Sequence, residues 1–76
     1  MEMVHVHSSM IQEVGYNPVD SILAVRFNGG KLFHYEGVPR ELYEGVLQSE
    51  SIGKYFNQHV RGQYGGLQVR EETDDA

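Results

Sequence analysis

Ser51-Ile52-Gly53-Lys54 stands where the pattern of apolar residues predicts the start of a helix, with Asn57 and Arg61 further along it. Free backbone N–H groups and the helix dipole favour an anion at such a place. Gly53 lets a ligand come close, Lys54 and Arg61 supply positive charge, and Asn57 can donate to a base or a phosphate. These residue types describe a pocket for a nucleotide-like ligand, completed in one version across a dimer. It is not a Walker motif, which needs a longer glycine-spaced loop before the lysine. The plainer alternative is an N-capped helix with a solvated basic face.

Aromatic residues offer a second chemistry. Tyr35 and Tyr64, with Phe33, could stack on unpaired bases if displayed, at about 1–3 kcal/mol per base. That would suit a short single-stranded RNA. Strong duplex binders contact roughly six to ten phosphates. This chain has six basic residues in all, scattered along its length, so duplex DNA is a poor fit. A third reading needs no special chemistry: an open sheet face could dock on a protein partner or on a second copy of the chain.

Catalysis has little to stand on. Ser8 and Ser9 lie near His5 and His7, but no orienting acid or oxyanion signature such as Gly-x-Ser-x-Gly accompanies them. Serines ahead of a strand more often bond to backbone. His5 and His7 at i, i+2 would share a strand face as metal ligands might, yet no third ligand is identifiable. The expectation is therefore a non-enzymatic binding module with no metal and no cofactor.

The bulk properties bound these readings. Seventy-six residues allow one domain. The net charge of −5 belongs to the end of the chain: four of the eleven acids fall in the last six residues, leaving seven against six bases. That acidic end reads as disordered. There are no cysteines, so disulfides and thiolate metal sites are ruled out. No apolar run of about 18 residues is present to span a membrane. The first ten residues lack the pattern of a signal peptide, and the cytoplasm is the expected location.

The elements that must position these residues follow from local pattern. Met10 to Tyr16 is a first strand, and Asn17-Pro18-Val19-Asp20 is a turn. Ile22–Phe27 and Lys31–Tyr35 flank Asn28-Gly29-Gly30, a strong hairpin signal. Pro39 opens a helix to Gln48 with Leu42, Tyr43, Val46 and Leu47 on one face. Gly45 inside it would let the helix approach the sheet. Ser49 or Ser51 caps a second helix with Ile52, Phe56 and Val60 at four-residue spacing, and Gly62 is its stop. His34 is expected part-buried and hydrogen-bonded, and His59 on the flank of the second helix. The fold class is α+β, a three-stranded antiparallel sheet followed by two helices on one face. Hairpin loop length decides one functional matter. A two-residue loop turns Phe33 and Tyr35 away from Leu23 and Val25, and a three-residue loop brings them into the core. The buried arrangement is favoured, because a small core needs their area.

Laid end to end, these segments resemble the KTSC domain over Ser8 to Tyr64. The resemblance is carried by His7-Ser8-Ser9, Gly15-Tyr16-Asn17, Leu23-Ala24-Val25-Arg26-Phe27 then Gly30, Phe33-His34-Tyr35, Val38-Pro39 with Tyr43 and Leu47 after it, and Ser51 through Asn57 with Val60-Arg61 and Tyr64. Phe33 stands where the family shows the first tyrosine of a tyrosine-any-tyrosine motif. A role resting on that hydroxyl does not carry over. The resemblance implies a domain found alone in small bacterial and phage proteins and appended to some lysyl-tRNA synthetases, company that points to RNA. It divides the chain into an arm (1–7), the domain (8–66) and an acidic, disordered tail (67–76).

Overall fold

Asn28-Gly29-Gly30 forms a three-residue hairpin loop. The Phe27 N–H donates to the Lys31 carbonyl at 2.9 Å across it. Gly29 and Gly30 have φ of 103° and 100°, a conformation glycine adopts without a Cβ penalty. The structure is a computed structural model and describes residues 1–70. The hairpin joins β3 (Ile22–Phe27) to β4 (Leu32–Glu36), preceded by β1 (Met3–His5) and β2 (Ile11–Asn17). Then come α1 (Arg40–Gln48), α2 (Ile52–His59) and β5 (Gly66–Val69).

The class is α+β, as expected, but the sheet has five strands rather than three, in the order β1-β2-β3-β4-β5, all antiparallel. The two unforeseen strands are the edges. β1 has three residues and β5 follows a glycine pair with only Leu67 and Val69 as apolar content, so neither carries an alternation long enough to read. β5 also crosses the boundary expected at residue 66. Residues 71–76, where the acidic end was expected to be disordered, lie outside those described.

The three-residue loop fixes the parity of β4. Leu23 opposes Tyr35 and Val25 opposes Phe33, so the two aromatics share the helix-covered face. Tyr35 is buried and Phe33 half-buried, the favoured arrangement of the two. β2 reaches the same face by a different device. Its pairing with β3 shifts between Ile11 and Glu13, a bulge that lets Ile11 and Val14 both point inward although three residues apart. Both are fully buried.

The helices close the core. Phe56 of α2 meets Tyr35 and Phe27 edge-on, with ring centroids 5.3 and 5.6 Å apart. Val46 of α1 and Val60 after α2 are fully buried beside it. Burying a phenylalanine side chain contributes about 1.5–3 kcal/mol. Tyr16 on β2 stacks on Tyr43 of α1 at 5.4 Å, and its hydroxyl donates to the Val38 carbonyl at 2.6 Å, fixing the entry to α1. Leu47, expected on the buried face, is exposed. Gly45 serves helix–helix contact rather than approach to the sheet: a methyl there would overlap the ring of Tyr55. No helix among the described residues is long and apolar enough to cross a membrane.

Candidate ligand-binding site

β4 carries the centre of the site. Alternation places Phe33 and Tyr35 on one face, with Lys31 in the same phase just ahead of the strand. Their rings stack at 6.3 Å. Phe27 from β3 meets Phe33 edge-on at 5.6 Å, and Tyr64 comes from the segment after α2. Together with Met10, Asn28, Arg61 and the backbone at Gly62 and Gly66 they line a groove of about 490 Å³. The lining contains two cations, Lys31 and Arg61, and no acid.

Tyr35 is the buried polar residue of this groove. It is 8% exposed. Its hydroxyl has no hydrogen-bond partner among the described residues. No partnerless polar side-chain atom there is wholly enclosed, so the oxygen keeps access to the groove. Burial raises the pKa of this hydroxyl above the ordinary tyrosine value, and the nearby Arg61 charge offsets part of the rise.

A second recess of about 460 Å³ lies on the other side of Met10, which lines both. It is built from the loop His7-Ser8-Ser9 and the start of α2, with Glu50, Ser51, Gly53, Lys54 and Asn57. Of the seven residues expected to form one ligand site, Ser51, Gly53, Lys54 and Asn57 line this polar recess. Tyr35, Arg61 and Tyr64 line the aromatic groove. One link joins the two groups: Arg61 Nη1 donates to Asn57 Oδ1 at 3.4 Å.

Around the polar recess several groups bond to one another, while the start of α2 has no side-chain cap. Ser51 is the N-cap of α2 but its hydroxyl makes no capping bond. Ser49 instead accepts from the Ser51 N–H at 3.1 Å and donates to the Ser51 carbonyl at 3.0 Å. A Cβ on Gly53 would stand 3.6 Å from Ser8 Oγ and from Met10, ordinary contact distance, so this glycine holds open no tight approach. Ser8 Oγ accepts from the N–H groups of Met10 and Ile11 at 3.1 and 3.2 Å, the backbone role expected of a serine before a strand. β1 ends at His5, so His7 does not share a strand face with it and lies in the loop. Among the described residues no three of His, Asp and Glu come together as metal ligands. His59 stands on the flank of α2, its ring 4.3 Å from that of Tyr55. His34 is half-buried on the sheet face away from the helices, and among the described residues its side chain lacks the hydrogen bond expected of it.

Phe27, Asn28, Lys31 and Met10 were not foreseen as site residues. The parity of Lys31, Phe33 and Tyr35 was readable once the loop was taken as three residues. The arrival of Met10 and Tyr64 from distant segments had no local signal.

Comparison with known proteins places this arrangement. The family model of the KTSC domain matches residues 7–64. This chain belongs to the KTSC domain family. A KTSC domain protein of Yersinia pestis, known from its crystal structure, superposes with a TM-score of 0.85 at 26% identity, covering 91% of this chain and 97% of that one. An uncharacterized protein of Stutzerimonas stutzeri is 39% identical over 64 residues, 84% of this chain and 90% of its own length. A lysine–tRNA ligase of a Nostoc species is 30% identical over 56 residues, 74% of this chain but 10% of the ligase. The groove residues Phe33 and Tyr35 fall inside the KTSC match, and Gly66 of β5 falls just beyond it.

Proposed function

We propose that this KTSC domain is a non-enzymatic, cytoplasmic binding module whose ligand is a nucleotide-like molecule or a short single-stranded RNA held in the aromatic groove. The observation that carries the reading is the groove itself: an aromatic floor of Phe33 and Tyr35 with Tyr64 beside it, Lys31 and Arg61 in its lining and no acid there. Stacking on such a surface tolerates any base, because every base has a π face. A duplex would need a broader positive surface than two cations provide. The likeness to part of a lysine–tRNA ligase supports an RNA ligand by association.

The test is binding of short single-stranded RNA and of mononucleotides, followed by fluorescence anisotropy or calorimetry. Phe33→Ala and Tyr64→Ala each weaken binding by about 1–3 kcal/mol on this reading. Arg61→Ala weakens it as well, whereas Lys54→Ala, in the other recess, leaves it unchanged. Unaltered affinity in both aromatic variants would sink the groove as the site.

A second reading, self-association or docking, has one observation in its favour. The sheet face away from the helices carries Leu67, 62% exposed, opposite His34 and near half-buried Leu32 and Val69. Sedimentation of the wild type and of Leu67→Glu over a range of concentrations decides it. A mass that does not change with concentration counts against it.

A further inference from the structure

We infer that the groove takes a nucleotide with a phosphate on each side of its base, as in the interior of a single strand, in preference to a nucleoside monophosphate. This deepens the groove reading above and rests on it. The geometry is that of one strand. Lys31, Phe33 and Tyr35 are in phase, and the four residue steps from Lys31 to Tyr35 span about 13 Å of extended backbone. Lys31 stands at the hairpin end. At the other end is Arg61, bridged to Tyr64 just ahead of Gly66, which pairs with Tyr35. The groove thus has a cation at each end and an aromatic floor between.

Both cations are open to a ligand. The side chains of Lys31 and Arg61 are exposed. Neither takes part in a salt bridge among the described residues, where Glu13–Arg26 and Arg40–Glu44 are the pairs formed. Among the described residues the Arg61 guanidinium bonds to the neutral Asn57 oxygen and to no carboxylate. A ring stacked on Phe33 would place one flanking phosphate toward Lys31 and the other toward Arg61. The hydroxyl of Tyr35, a residue 8% exposed, has no hydrogen-bond partner among the described residues and is positioned to bond to the edge of the base or to the nearer phosphate. A monophosphate satisfies one end and leaves the other cation unused. Charge-assisted bonds at both ends are the stronger arrangement.

The experiment uses the full chain and calorimetric titration at low salt with the 5′-monophosphate and the 3′,5′-bisphosphate of one nucleoside, and with a tetranucleotide. The bisphosphate is expected to bind at least about tenfold more tightly than the monophosphate. Lys31→Ala and Arg61→Ala should each shrink that ratio to within about threefold, while Lys54→Ala leaves it as in the wild type. Circular dichroism of these exposed variants should match the wild type. Equal affinity for monophosphate and bisphosphate, with both weakened by Phe33→Ala, would overturn this inference and leave the groove reading standing. The same ratio in Lys31→Ala and in Lys54→Ala would overturn it too, since general charge attraction would then be the cause. Failure of all three probes to bind the wild type would remove both readings.

Discussion

Tyr35 does two jobs with two ends of one side chain. Its ring meets Phe56 edge-on and lies against the backbone of Gly66, while its hydroxyl, near Arg61, has no hydrogen-bond partner among the described residues. The two roles separate by substitution. Tyr35→Phe keeps the ring and should leave stability near neutral pH within about 0.5 kcal/mol, because no hydrogen bond among the described residues is lost. Tyr35→Ala removes the packing and should cost about 3–5 kcal/mol by urea denaturation. The hydroxyl also makes a pH prediction. Its pKa is raised in the folded state, mainly by burial, so folding favours the protonated form. The resulting stability is complete below the unfolded value near 10 and is lost as pH rises through the folded value. Thermal denaturation between pH 8 and pH 11 should therefore show a steeper alkaline loss in the wild type than in Tyr35→Phe. Parallel curves would show that burial of this hydroxyl does not distinguish the two states. At this scale the sequence pointed to three residues that the fold brings together. Tyr35, Arg61 and Tyr64 do share a groove. Lys54 and Asn57 line another recess because they lie within α2, whereas Arg61 stands past its end at His59, where the chain leaves the helix toward Tyr64.

Pairing between elements explains features that propensity alone misjudges. Gly45 sits inside α1, where glycine costs roughly 1 kcal/mol against alanine. Its use is to admit the ring of Tyr55 from α2. Gly45→Ala should thus destabilise by about 1–3 kcal/mol through overpacking, despite the better helix propensity. In a Tyr55→Ala background the same change should stabilise by up to about 1 kcal/mol, since the obstruction is gone and the propensity remains. A double-mutant cycle by urea denaturation measures the reversal. Additive effects would mean that the two helices do not depend on this contact. The hairpin and both helices were legible because their signals are local: a glycine-rich turn between strand formers, Pro39 before a helical pattern, and Ile52, Phe56 and Val60 at one-turn spacing. The bulge in β2 was not, since strict alternation would have sent Ile11 and Val14 to opposite faces. β1 and β5 are strands because β2 and β4 offer them partners, a condition set by the fold and not by their own composition.

For the molecule as a whole, charge limits what can be bound. The described residues hold seven acids and six bases, and only Lys31 and Arg61 line the groove. Binding of single-stranded RNA should then depend weakly on salt, with a slope of log K against log salt near −1.4 for about two phosphates at about −0.7 each. Titration between 50 and 300 mM salt checks this, and a slope steeper than about −4 would require a far wider positive surface. The sheet order has a different consequence. Because β1 and β5 are the two outer strands, the chain enters at one margin of the sheet and leaves at the other, four strand spacings or about 19 Å away. The leaving margin is also a wall of the groove, through Gly66. Any surface, tag or fused protein joined after residue 70 is consequently tethered beside the mouth of the groove, whereas one joined ahead of Met1 hangs from the far margin. Immobilised assays should anchor the protein by its beginning, and a fusion at its end supplies a ready way to crowd the groove.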